Sequence, residues 1–139
     1  MRHYIGTKMI MAEPAMKDGK EGYKVVYQDG YESWSPKDVF EQAYLPLSIN
    51  ENLRTDAPSI SQHMVDDFIV SREVITMGDK CTVVRAILRN GFEIVESSAC
   101  VSPENYDEQM GAEICMDKIK DKVWFLLGFL LQTAVEGVK

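Results

Sequence analysis

Groups able to do chemistry are scarce in this chain. His3 and His63 are its only imidazoles. Neither has a metal-binding spacing or stands beside a candidate nucleophile, and His63 reads as a helix-surface residue. The three cysteines, Cys81, Cys100 and Cys115, are odd in number and form no CxxC pair, which argues against a disulfide framework or a zinc ribbon. Cys100, near Ser102-Pro103, is open to two readings, a thiolate lowered by a helix start or a buried structural thiol; no nucleophile is assigned. Positive charge is also short: 15 Lys+Arg against 22 Asp+Glu leave a net charge of −7, which opposes diffuse attraction to a phosphate backbone. The first residues lack the apolar core of a signal peptide. The longest apolar run, residues 123–131, is broken by Gly128 and is far short of the roughly 20 residues that span a bilayer.

The remaining motifs are equally sparing. Asp66-Asp67 and Asp107-Glu108 are adjacent acids, which on a helix point about 100° apart and form a solvated face more readily than a metal or acid/base pair. The nine glycines match neither a dinucleotide fingerprint nor a P-loop. No metal, no cofactor and no catalytic set is expected, and the partners exclude nucleic acid and membrane.

What is present is regular structure. At 139 residues the chain can bury a real core as one domain or two joined modules. Residues 4–11 and 22–27 read as strands, with Asp29-Gly30 turning the second into residues 31–34. Ser35-Pro36-Lys37-Asp38 then gives an N-cap serine, an N1 proline and a first-turn acid for a short helix. Residues 45–58 change to Pro, Ser, Asn and Asp without periodicity, so 1–45 is expected to be one module, 46–58 a linker and 59–139 a second module.

In that second module Ser59 with Gln62 suggests a capping box for a helix to about Val70. Residues 81–88 and 92–98 form a hairpin about Asn90-Gly91, the strongest short hairpin signal. Ser102-Pro103-Glu104 starts a long helix to about Val135. The expected class is α+β: a small N-terminal antiparallel sheet with a short helix, then a helix, a β-hairpin and a long C-terminal helix. Because residues 123–131 are apolar on every side of that helix, a partner subunit is expected to cover it, in a dimer or higher even assembly.

One constellation suggests binding. The Ser102–Asn105 helix start, Ser97 and Ser98 as donors, Asn90 and Asn105 as amide readers, Phe92 and Tyr106 as flat surfaces, and Arg85 and Arg89 as cations would suit a phosphorylated, purine-bearing small molecule. The plainer alternative stays open: Asn90 serves the turn, Phe92 the core and Ser102 the cap.

Two segments carry a resemblance. Residues 4–8 and 22–44, YIGTK and GYKVVYQDGYESWSPKDVFEQAY, resemble an N-terminal module found in front of several unrelated small domains of tailed phages and prophages. LRNGF at 88–92, ESSACVSPENYD at 96–107 and KDKVW at 120–124 resemble a small phage protein family of formerly unknown function. Val101 stands where that family has a smaller residue, and Tyr106 where phenylalanine is usual. The architecture is similar to the first anti-Thoeris class of phage proteins. That resemblance implies a sponge in the host cytoplasm, which binds a cyclic ADP-ribose isomer made by a TIR-domain defence enzyme and holds it uncleaved. Its ligand-binding residues would be Arg85, Arg89, Asn90, Phe92, Ser97, Ser98, Ser102, Asn105 and Tyr106. The alternatives are a protein-binding inhibitor of a host enzyme, a virion accessory protein, and an enzyme that opens the messenger.

Overall fold

A computed structural model describes residues 1–48, 53 and 56–139. The chain forms two compact units, Met1–Leu47 with Leu130–Lys139, and Ser48–Phe129. The class is α+β, as expected. The expected linker at 46–58 lies in part outside the described residues; within it, Ser48 is hydrogen-bonded to Ser61 at 2.6 Å.

The first unit holds strands β1 (Met11–Lys17), β2 (Lys20–Val26) and β3 (Glu32–Pro36) in an antiparallel sheet of that order, followed by helix α1 (Lys37–Ala43). The strand expected at 4–11 is displaced: residues 1–10 carry no regular structure and β1 begins at Met11. Asp18 and Gly19, both at positive φ, make the two-residue turn that pairs Lys17 with Lys20. Pro14 is tolerated because β1 is an edge strand. The Asp29-Gly30 turn forms as expected, with Gly30 at φ +89° and the Asp29 carboxylate accepting from the Tyr31 N–H.

Helix α1 starts one residue late. Ser35 and Pro36 stay in β3, Pro36 occupies the cap position, and no side chain caps the helix. Phe40 of α1 stacks on Tyr23 of β2 at 4.0 Å. That contact, rather than a cap, holds the helix on its sheet.

In the second unit Ser61, not Ser59, caps helix α2 (Gln62–Phe68) by accepting the Met64 N–H. The chain then passes directly into a strand that sequence reading did not find, β4 (Ile69–Met77). The expected hairpin, β5 (Cys81–Leu88) with β6 (Glu93–Ala99), is therefore two-thirds of a meander of order β4-β5-β6. Strict alternation sends Thr82, Val84, Ala86 and Leu88 of β5 inward, all buried. A long helix α3 (Glu108–Glu136) covers this face with Ala112, Cys115, Ile119, Val123 and Leu127, also buried. Their spacing of three and four is one helical stripe.

The Ser102-Pro103 helix start is corrected. Pro103–Asn105 is a single 3-10 turn, Tyr106 returns to extended backbone, and α3 begins afresh at Glu108. Asp107 supplies the effective cap, its carboxylate accepting the Met110 N–H at 3.2 Å. The physical reason is a long-range anchor. The Tyr106 hydroxyl is hydrogen-bonded to Thr82 at 2.7 Å and to Thr76 at 2.8 Å, and this holds residue 106 out of the helix.

Candidate functional site

The second sheet has two faces, fixed by register. Thr76, Thr82 and Ser98 pair across the three strands on the face beneath α3, as do Val74, Val84 and Glu96. The opposite face carries Glu73, Ile75 and Met77 from β4, Val83, Arg85 and Ile87 from β5, and Val95 and Ser97 from β6.

Within this frame the nine candidate residues fall into three places. Arg89, Asn90 and Phe92 lie at the β5–β6 turn, where Asn90 accepts the Phe92 N–H at 3.0 Å and Gly91 takes φ +85°. Phe92 is 56% exposed, so it is not the core residue that alternation allowed. Arg85 and Ser97 sit on the open face, with Ser98 on the other. Ser102, Asn105 and Tyr106 lie at the far end of the sheet, where the Cys100 N–H donates to the Lys80 carbonyl. From Thr82, beside Tyr106, to Leu88, beside the turn, is six residues of strand, about 20 Å. The structure brings Arg89, Asn90 and Phe92 together and leaves the other two groups apart.

Several of these side chains also have internal work. Arg85 bridges its neighbouring strands, bonding the Glu93 carboxylate and standing 4.0 Å from Glu73. The hydrogen bond to Glu93 is the main reason its guanidinium titrates above its ordinary value. Ser102 donates to the Glu104 carboxylate, which holds Glu104 below the usual carboxylate range. A fixed negative charge thus occupies the place where a phosphate was expected. Tyr106 belongs to a polar cluster with Thr76, Thr82 and Glu108, so its hydroxyl ties the end of the 3-10 turn to the sheet.

With the cation neutralised, the open face is apolar in character. Ile75, Met77 and Val95 are 44%, 59% and 57% exposed, and Val83 and Ile87 between them are half-buried. Sequence reading missed this surface because half of it belongs to β4. The available signal was Ile69-Val70 and Val74-Ile75-Thr76, β-branched residues ahead of the turn glycine Gly78. In the first unit an open depression of about 500 Å³ is lined by Lys8, Met9, Tyr27, Gln28, Asp29 and Tyr31, with the Lys8 ammonium 4.6 Å from the Tyr27 ring centroid.

Among the described residues no group of three or more His, Cys, Asp or Glu side chains could hold a metal ion, and no helix is long and apolar enough to cross a membrane. Against known proteins, the family model described as Phage protein (N4 Gp49/phage Sf6 gene 66) family matches residues 60–135. This span runs from the start of α2 almost to the end of α3. No curated protein and no solved structure matches the chain.

Proposed function

Since the chain belongs to the phage protein (N4 Gp49/phage Sf6 gene 66) family, we propose that it is a phage-made, non-catalytic binding protein that occupies a protein partner in the cytoplasm of the infected host. The observation that carries this reading is the open face of the second sheet. Ile75, Met77 and Val95 are exposed there around an arginine already paired with two carboxylates. Exposed apolar side chains gathered on one sheet face suit a protein contact. A guanidinium balanced by Glu73 and Glu93 offers little to a phosphate, and a net charge of −7 does not favour nucleic acid. A neutral apolar patch is matched by the apolar patch of another protein.

The test compares the tagged chain with Val95→Asp in host cells. The expected result is one host protein captured at fixed stoichiometry, rebuilt from purified components, and lost with Val95→Asp while circular dichroism is unchanged. Retention of the same protein by the variant overturns the reading.

A second reading keeps the narrower function, capture of a cyclic ADP-ribose-type signal that blocks Thoeris-type immunity. Its support is the exposed Phe92 ring at a turn that also carries Arg89 and Asn90, an arrangement suited to stacking on a base beside a cation. Purified protein would be mixed with cyclic ADP-ribose isomers, washed and heat-denatured. Intact nucleotide in the supernatant, absent with Phe92→Ala, supports a sponge. A changed product means an enzyme, and no uptake removes this reading.

A further inference from the structure

Of the four edge strands in the two sheets, three are blunted. β1 carries Pro14, β3 is five residues long, and at β6 the Ser97 carbonyl accepts from the Lys118 ammonium at 2.9 Å. β4 has nine residues without a proline, and its one irregularity lies between Ile69 and Ser71. Val74 is half-buried and the other residues of 70–77 are exposed, so this edge stands open.

The ladder fixes which backbone groups face outward. The Leu88 N–H donates to the Phe92 carbonyl and the Cys100 N–H to the Lys80 carbonyl, whereas the Arg89 N–H donates to Phe68. Even-numbered residues of β5 thus bond toward β6 and odd-numbered ones toward β4. Cys81, Val83 and Arg85 stand opposite Met77, Ile75 and Glu73. The intervening residues of β4, Arg72, Val74 and Thr76, therefore aim their N–H and C=O groups outward. Among the described residues these groups have no partner within the chain.

We propose that β4 takes up an extended segment of the host protein as a fourth strand. This rests on the open face being a protein contact, and it names how the partner engages it. An extended backbone offers donors and acceptors in the same alternation as the free edge. On one face its side chains fall beside Glu73, Ile75 and Met77 and enlarge the apolar surface; on the other they fall beside Arg72, Val74 and Thr76. No carboxylate pairs with Arg72 among the described residues. The segment accordingly carries apolar residues at alternate positions and an acid opposite Arg72. A second copy of the chain fits poorly. Pairing β4 with itself about Glu73 sets Glu73 against Glu73, and pairing about Val74 leaves Arg72 opposite Thr76.

Amide hydrogen exchange of the chain, alone and bound to the captured and purified host protein, tests this. The amides of Arg72, Val74 and Thr76 should become protected on binding, while those of Glu73 and Ile75, already bonded to β5, change little. Arg72→Pro removes one outward donor and spares the ladder to β5. With its circular dichroism unchanged it should weaken the complex at least about tenfold, because a carbonyl of the partner loses its donor. Arg72→Ala, which keeps the N–H, should weaken it no more than a few-fold. If Val95→Asp abolishes binding but Arg72→Pro and Arg72→Ala bind equally well, or the three amides stay unprotected, the strand addition is overturned and the open-face reading stands. A chain that captures no host protein removes both. Protection of the three amides in the chain alone, with a dimer in sedimentation equilibrium, would place a second copy at the edge and also overturn the proposal.

Discussion

Gly111 of α3 lies directly on Thr82 of β5: a Cβ at residue 111 would stand 2.1 Å from the Thr82 Oγ1 and 2.8 Å from its Cβ. The same hydroxyl is hydrogen-bonded to Tyr106 at 2.7 Å, so turning it aside would break that bond. Helix, strand and 3-10 turn are thereby fixed at one point, with Cys115 buried a turn further along.

Gly111→Ala is therefore expected to destabilise the fold by about 1–3 kcal/mol, despite the gain in helix propensity, because overpacking at a buried contact outweighs it. Chemical denaturation measures the loss. Adding Thr82→Ala should return only part of it, since the Cβ of residue 82 remains in the way; a variant as stable as wild type would contradict the close approach.

Tyr106→Phe removes the partner of a fully buried hydroxyl, Thr82 being 0% exposed. Leaving such a group unsatisfied costs roughly 1–3 kcal/mol. The loss should appear as a lower denaturation midpoint with an unchanged slope. Faster amide exchange at residues 103–106 is expected alongside it.

Acid sensitivity should run through Glu96. Its carboxylate is held below the usual range, first by a hydrogen bond from Lys122 at 2.5 Å, with further attraction to Lys122 and Lys118. A carboxyl with a depressed folded value stabilises fully above its unfolded value, and that contribution is lost as pH falls through the folded one. Stability measured against pH should thus decline on the acid side. In Glu96→Gln that decline should be shallower, while a curve parallel to wild type would remove Glu96 from the account.

Much of the second unit was legible in the residues themselves. Cys81–Leu88 is an apolar, β-branched run of strand length, and Asn90-Gly91 is a turn signal. The errors have two physical sources. Local signals misled where a tertiary contact overrode them: Ser102-Pro103-Glu104 is a sound helix start, but Tyr106 is held extended by two threonines from other strands. Other signals were weak because one element runs into the next. No breaker separates Phe68 of α2 from Ile69 of β4, and Pro14 disguised an edge strand. The candidate site suffered most, since the role of Arg85 depends on a strand register that brings in Glu73.

On the proposed reading the open face of the second sheet is the working surface, and calorimetric titration of the rebuilt complex with the captured host protein tests this most directly. Placing a carboxylate at Val95 puts an unpaired charge into an apolar contact, so Val95→Asp is expected to weaken the complex at least about thirtyfold, on the scale of a lost hot spot. Phe125→Glu, on α3, should leave the affinity per chain unchanged. Equal affinity for wild type and Val95→Asp would contradict the account.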